Sequence, residues 1–266
     1  MKPSHGTTRW RGILRLLLFL FTALQGCAHF LVLRLRHDLT TTERAGWLHR
    51  WCSRALERLH IPIAVQGAFP EKGLLVSNHL SYLDILVFSA LSPCVFVAKR
   101  EVRSWPLFGW MAKMGGTVFV DRTRTTDAPR ANTEMSQALA DGAVVVLFPE
   151  GTSSDGSSVL PFRPALFEAA VAAGESVTSA HISYELDEGS VAQDVCYWGS
   201  MTFFPHLLRL LSKPAVRARV QFAIETSRFD DRKRAAQVTR AAVSALAAAP
   251  TASSARAGIA YRTSSP

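Results

Sequence analysis

Three short stretches of this sequence carry side chains that could act together on a polar substrate. The first is Ser77-Asn78-His79-Leu80-Ser81-Tyr82-Leu83-Asp84, in which His79 precedes Asp84 by five positions. An imidazole at the end of a strand and a carboxylate on the helix that follows can meet. The carboxylate then orients the ring and supports the charge it gains as a general base. In a chain with eight histidines the spacing alone is weak, and a histidine beside an apolar strand is more often structural. The second stretch is Gly115-Gly116-Thr117-Val118-Phe119-Val120-Asp121-Arg122. It reads as a strand that leaves two glycines and ends in an arginine, whose planar fork suits a phosphate or another anion. Pairing of Arg122 with Asp121 is the plainer alternative. The third is Phe148-Pro149-Glu150-Gly151-Thr152-Ser153-Ser154-Asp155-Gly156, directly after an apolar run. A charged side chain there, followed by Gly-Thr, suits a site loop at the carboxyl edge of a sheet. The alternative is a turn in which Thr, Ser and Asp cap the next element.

The elements that must hold these stretches can be read from the apolar pattern. Short runs predict strands at 73–77, 95–98, 117–120, 143–148, 176–183, 194–198 and 216–223. Helical patterns fall at 82–90, 105–114, 129–140, 164–173 and 230–248. Strands alternating with helices predict an α/β domain over 61–249, a mixed central sheet flanked by helices. All three chemical stretches lie at the ends of predicted strands. Residues 250–266, rich in Ala, Ser and Thr, read as a disordered tail.

The chain has 266 residues, 48% of them hydrophobic and 19% charged, with a mean hydropathy of +0.12. That is enough apolar material for a sizeable core, and it excludes disorder as the main state. The net charge of +9 is uneven: residues 1–60 carry ten Lys/Arg and three Asp/Glu, or +7. A nucleic-acid binder usually spreads its basic groups over a folded face, so no nucleic-acid partner is expected. A basic N-terminus around an apolar run points to an anionic membrane surface.

Residues 16–33 are free of formal charge and are bracketed by Arg11 and Arg15 before and Arg34 and Arg36 after. Eighteen helical residues reach roughly 27 Å, close to a bilayer core. A retained membrane anchor is the expectation, and a cleaved signal sequence ending near Cys27 is the alternative. Residues 44–59 form a basic amphipathic pattern with Trp47 and Trp51 on the apolar arc, suited either to a membrane interface or to packing on the core. Residues 1–60 therefore read as a membrane-anchoring helical segment ahead of the α/β domain. The four cysteines are not spaced as metal or disulfide pairs, which favours a reducing compartment for the body.

Taken together, VSNHLSYLD, FVAKREVRSWPLFGWMAKMGGTVFVDR and VVLFPEGTSSDGSSVLPF resemble the glycerolipid acyltransferases of the lysophosphatidic acid acyltransferase family. The resemblance is close over about residues 73–165 and looser to 225. It implies that His79 deprotonates the acceptor hydroxyl as it attacks an acyl thioester, and that Asp84 orients His79. It implies that Gly116, Arg122, Glu150, Gly151 and Thr152 bind the acceptor, and it places Lys99 and Arg100 where the family is often basic. No acyl-enzyme, metal or cofactor is implied beyond the donor, acyl-CoA or acyl carrier protein. The implied place is the cytoplasmic face of the inner membrane. A thioester needs no further activation, whereas an alcohol needs a positioned base.

Two departures from the family pattern stand out. Ser153 occupies a position that is commonly Arg, and the stretch 177–182 lacks the family's proline. The stretches around 151–156, 195–199 and 204–207 are similar to a subgroup that includes lyso-ornithine lipid acyltransferases. The expected acceptor is 1-acyl-sn-glycerol-3-phosphate, with a lyso-ornithine lipid or another lysolipid as the alternative. Two readings from other classes are a non-catalytic lysolipid-binding protein and a hydrolase. The chain has no Gly-x-Ser-x-Gly nucleophile elbow to favour the latter.

Overall fold

A computed structural model describes residues 5–105, 107–121 and 128–249 of the chain. Arg122 and the 250–266 tail expected from the sequence lie outside the described residues. Two long helices, α1 (His5–Arg36) and α2 (Thr41–Leu59), precede a seven-stranded sheet. The strands are β1 (Ile63–Gln66), β2 (Gly73–Ser77), β3 (Val95–Lys99), β4 (Val118–Val120), β5 (Val144–Leu147), β6 (Val177–Leu186) and β7 (Val216–Ser227). Their order across the sheet is β1-β7-β6-β2-β5-β3-β4. β2 runs parallel to β5 and β6, and β3 runs parallel to β5 and β4. β7 runs antiparallel to β6 and parallel to β1, so the sheet is mixed.

The central strands bury both of their faces. GLLVS in β2 and VVVL in β5 are buried at every position, as parallel strands covered by helices on both sides must be. Successive side chains serve opposite layers: Leu75 and Val146 join the layer under α2, while Leu74, Val76, Val145 and Leu147 join the other. The connecting helices are α3 (Leu83–Leu91), α4 (Phe108–Met114), α5 (Ala128–Ala140), α6 (Glu168–Ala172), α7 (Val191–Asp194), α8 (Phe203–Ser212) and α9 (Arg232–Ala248). The helical pattern at 164–173 divides into a 3-10 turn, Pro164–Phe167, and α6.

The strand expected at 194–198 is absent. Residues 191–194 are helical instead, and the following stretch leaves the sheet to bond Tyr197 N–H to the Leu80 carbonyl at 2.8 Å. Its aromatic and apolar residues imitate a strand because they pack around the site. The amphipathic arc of α2 has a protein partner: Trp47, Leu48, Trp51, Cys52 and Leu56 are buried in the core.

α1 distributes its residues in an unusual way. The polar groups within its apolar run face the protein: Arg58 donates to Thr22 Oγ1 and Gln25 Oε1, both at 2.7 Å, and Trp51 donates to His29 at 3.1 Å. Leu14, Leu17, Leu20, Phe21, Leu24, Leu31 and Leu35 face outward and are exposed. A soluble helix shows the reverse.

Candidate active site

Because β2, β3, β4, β5 and β6 run the same way, their carboxyl ends share one edge of the sheet, where open α/β sheets place ligands. His79 stands just past β2, Lys99 ends β3, and Glu150 stands just past β5. The His79 segment is tied down on several sides. Asn78 bonds both the N–H and the carbonyl of Ile182 on β6, each at 2.9 Å. The His79 carbonyl accepts from Ser154 N–H at 3.0 Å.

His79 Nδ1 lies 2.7 Å from Asp84 Oδ2. The same oxygen accepts the backbone N–H groups of Leu80 at 2.7 Å and Ser81 at 3.0 Å. Asp84 is completely buried, whereas the His79 side chain keeps 21% of its surface open. An ionised carboxylate can only accept, so this contact places the proton on Nδ1 and leaves the Nε2 lone pair available. The imidazole is also stacked on Phe148, with ring centres 4.2 Å apart and planes 15° apart.

A cavity of about 300 Å³ opens beside His79. Lys99, Thr152 and Ser153 line its polar part, and Phe19, Trp51, Cys52 and Ala55 of α1 and α2 close its apolar part. Tyr197, Trp198 and Gly199 form another wall, with Trp105 set edge-on to Tyr197 at 5.9 Å. The Ser153 hydroxyl donates to the Tyr197 carbonyl, which fastens this wall to the Glu150 loop.

The sequence-expected residues fall in two groups. His79, Asp84, Gly151 and Thr152 come together at the cavity, Asp84 from behind the ring. Gly116 stands apart, in a turn with φ +83° beside Arg44, a conformation that favours glycine. Arg100 pairs with Asp121 at 3.1 Å. Glu150 is 3% exposed and is turned toward backbone, accepting Leu160 N–H at 3.1 Å and His79 N–H at 3.4 Å. The walls contributed by α2, Phe148 and 197–199 were not singled out as site residues from sequence. Their local signals were Phe148 at the head of the third stretch, Trp51 on the amphipathic arc and the aromatic run at 195–199, none of which named a role in the site.

Burial pushes the Glu150 carboxyl up from the ordinary 4.5 to about 7, with Asp84 adding to the rise and the two N–H donors opposing it. The folded chain therefore holds this proton more tightly than the unfolded chain. The resulting stability is complete below about pH 4.5 and is lost as pH rises through about 7, a change of roughly 3 kcal/mol at most. Glu150→Gln does not titrate. It loses one N–H acceptor at every pH, so its thermal midpoint relative to the wild type is expected to improve from pH 5 to about pH 7 and then to level off. Parallel curves would show that Glu150 does not titrate in this range.

Residues 62–183 match the protein family described as Acyltransferase. A lyso-ornithine lipid O-acyltransferase of Rhizobium meliloti is 36% identical over 204 residues, covering 70% of each chain. A second protein of that name, from Pseudomonas aeruginosa, is 35% identical over 76% of this chain and 79% of its own. A 1-acyl-sn-glycerol-3-phosphate acyltransferase of Neisseria gonorrhoeae is 40% identical over 51% of this chain and 54% of its own. In fold, the chain matches the crystal structure of the 1-acyl-sn-glycerophosphate acyltransferase of Thermotoga maritima with a TM-score of 0.64 at 21% identity, over 92% of this chain and 99% of that one.

Proposed function

The chain belongs to the family of lysolipid acyltransferases, and on that premise we propose that it moves a fatty acyl group from acyl-CoA or acyl carrier protein to the free hydroxyl of a lyso-ornithine lipid. The observation that carries the reaction is the His79–Asp84 contact at the mouth of an apolar cavity. His79 Nε2 takes the hydroxyl proton as the acceptor oxygen bonds to the thioester carbonyl carbon. The tetrahedral intermediate then expels the carrier thiolate, which receives that proton from His79. One C–O bond forms, one C–S bond breaks, and no enzyme group is acylated. The apolar end of the cavity is suited to the acyl chain, and no cofactor beyond the donor is needed.

The acceptor assignment rests on Ser153. Its hydroxyl is engaged by the Tyr197 carbonyl, so this position offers no cation where the family commonly has Arg. The neighbouring faces of Trp105, Tyr197 and Trp198 suit an ammonium group better than a phosphate. Lys99 on the cavity wall favours the second reading, a 1-acyl-sn-glycerol-3-phosphate acceptor, in which Arg122 and the Gly116 turn would serve the phosphate. Offered both acceptors together, the wild type is expected to acylate the ornithine lipid preferentially. Ser153→Arg should shift that ratio toward the phosphate lipid by about tenfold. A wild type that prefers the phosphate lipid, with a ratio unmoved by Ser153→Arg, would contradict this acceptor assignment.

The family's lipid substrates and the outward apolar face of α1 support membrane association. We place α1 along one leaflet, at the cytoplasmic face of the inner membrane. Its inner face is bonded to α2 from Thr22 to His29, and Arg15 donates to the Lys213 carbonyl at 2.6 Å, so the helix lies along the domain. Arg11 and Arg36, toward its two ends, suit anionic headgroups. Vesicles containing phosphatidylglycerol should float the full chain. Leu17→Glu combined with Phe21→Glu should lower the bound fraction about tenfold without changing the circular dichroism. Equal flotation of both proteins would remove α1 as the anchor.

A further inference from the structure

Asp84 holds more than the imidazole. Its Oδ2 accepts from His79 and from two backbone N–H groups, and its Oδ1 accepts the phenol O–H of Tyr184 at 2.6 Å. Tyr184 stands a hundred positions further along the chain, on β6, and reaches the site because β6 lies beside β2 in the sheet. It is 5% exposed and does not line the cavity.

We propose that Tyr184 is a positioning residue for acyl transfer, its hydroxyl fixing Oδ1 of Asp84 so that Oδ2 meets His79 in one orientation. This inference rests on the reading of His79 as the base. A short O–H···O⁻ bond restrains rotation of the carboxylate and draws part of its charge away from the imidazole. His79 is then held firmly in one orientation. Burial pushes the Tyr184 phenol well up, so it remains a donor throughout the working range. The other ionisable groups facing this pair are Cys196 and Tyr82, both raised by burial and neutral near pH 7. Glu150, beyond His79, is the neighbouring carboxyl that titrates near neutrality, and it is unchanged in the comparison below.

The test uses the full chain in lipid vesicles. Tyr184→Phe is expected to lower kcat about tenfold while both KM values stay within about twofold. The acidic limb of its pH–rate profile should move upward by about half a unit, because Asp84 then bears more charge toward His79. Incorporation of 3,5-difluorotyrosine at position 184, a stronger donor of nearly the same shape, should move that limb downward. In an Asp84→Asn background, Tyr184→Phe should add less than about a twofold further loss. An unchanged kcat, a limb that moves in neither variant, or a full additional loss in the Asp84→Asn background would each overturn the inference. If Tyr184→Phe fails to fold, the difluorotyrosine protein decides the matter by its limb alone. A wild type that transfers no acyl group would instead refute the proposed reaction, a separate outcome.

Discussion

His79→Ala is expected to lower acyl transfer between about 10²- and 10⁴-fold, the range of a positioned general base. The loss should appear in kcat and should persist at saturating donor and acceptor. The fold should survive, because the side chain is 21% open and Asp84 retains the two backbone N–H groups and the Tyr184 hydroxyl as partners. The measurement is carrier-thiol release in the presence of lysolipid, alongside thermal unfolding of the same preparation. Activity within a few fold of the wild type in a folded variant would remove His79 from the chemistry.

Asp84→Asn is expected to lose a comparable factor, about 10³-fold, for a different reason. Asp84 is fully buried and faces four donors. An asparagine can keep its oxygen toward the backbone N–H groups of Leu80 and Ser81 and turn its NH₂ toward Tyr184. The phenol oxygen can accept as well as donate, so no buried group is stranded. The fold therefore persists, but the charge that supports the imidazolium is gone. Asp84→Ala differs: it leaves two N–H groups and a hydroxyl without partners in a dry site, and it should unfold at markedly lower temperature. An Asp84→Asn protein with nearly normal kcat would show that Asp84 only holds the loop.

What the sequence displayed depended on how local the physics was. The buried runs GLLVS and AVVVLF announced β2 and β5 because parallel strands covered on both faces have no polar positions to hide. No element was expected at α8, although Phe203, Leu207, Leu210 and Leu211 keep helical spacing. Pro205 lies in the first turn, where its missing N–H does no harm. The run at 194–198 misled in the opposite sense: its aromatic residues pack on the site rather than pair in the sheet.

The site was legible where its members share a stretch, as His79 and Asp84 do. It was illegible where they meet through the sheet. Tyr184 and the Tyr197 carbonyl arrive from strands and loops that leave no trace near the motifs. Glu150 shows a subtler limit. Its partners are backbone N–H groups of His79 and Leu160, and no residue type in the sequence advertises such a bond.

The most direct test of the central claim is an acyl-transfer assay on the full chain in vesicles. Acyl-CoA and acyl carrier protein serve as donors, lyso-ornithine lipid and 1-acyl-sn-glycerol-3-phosphate as acceptors, and His79→Ala as control. Thiol release is expected to depend on added lysolipid, with one ester formed for each thiol released, and His79→Ala is expected to lower both together by at least about 10²-fold. Thiol release at the same rate without lysolipid, or ester formation within a few fold of the wild type in His79→Ala, would contradict that claim.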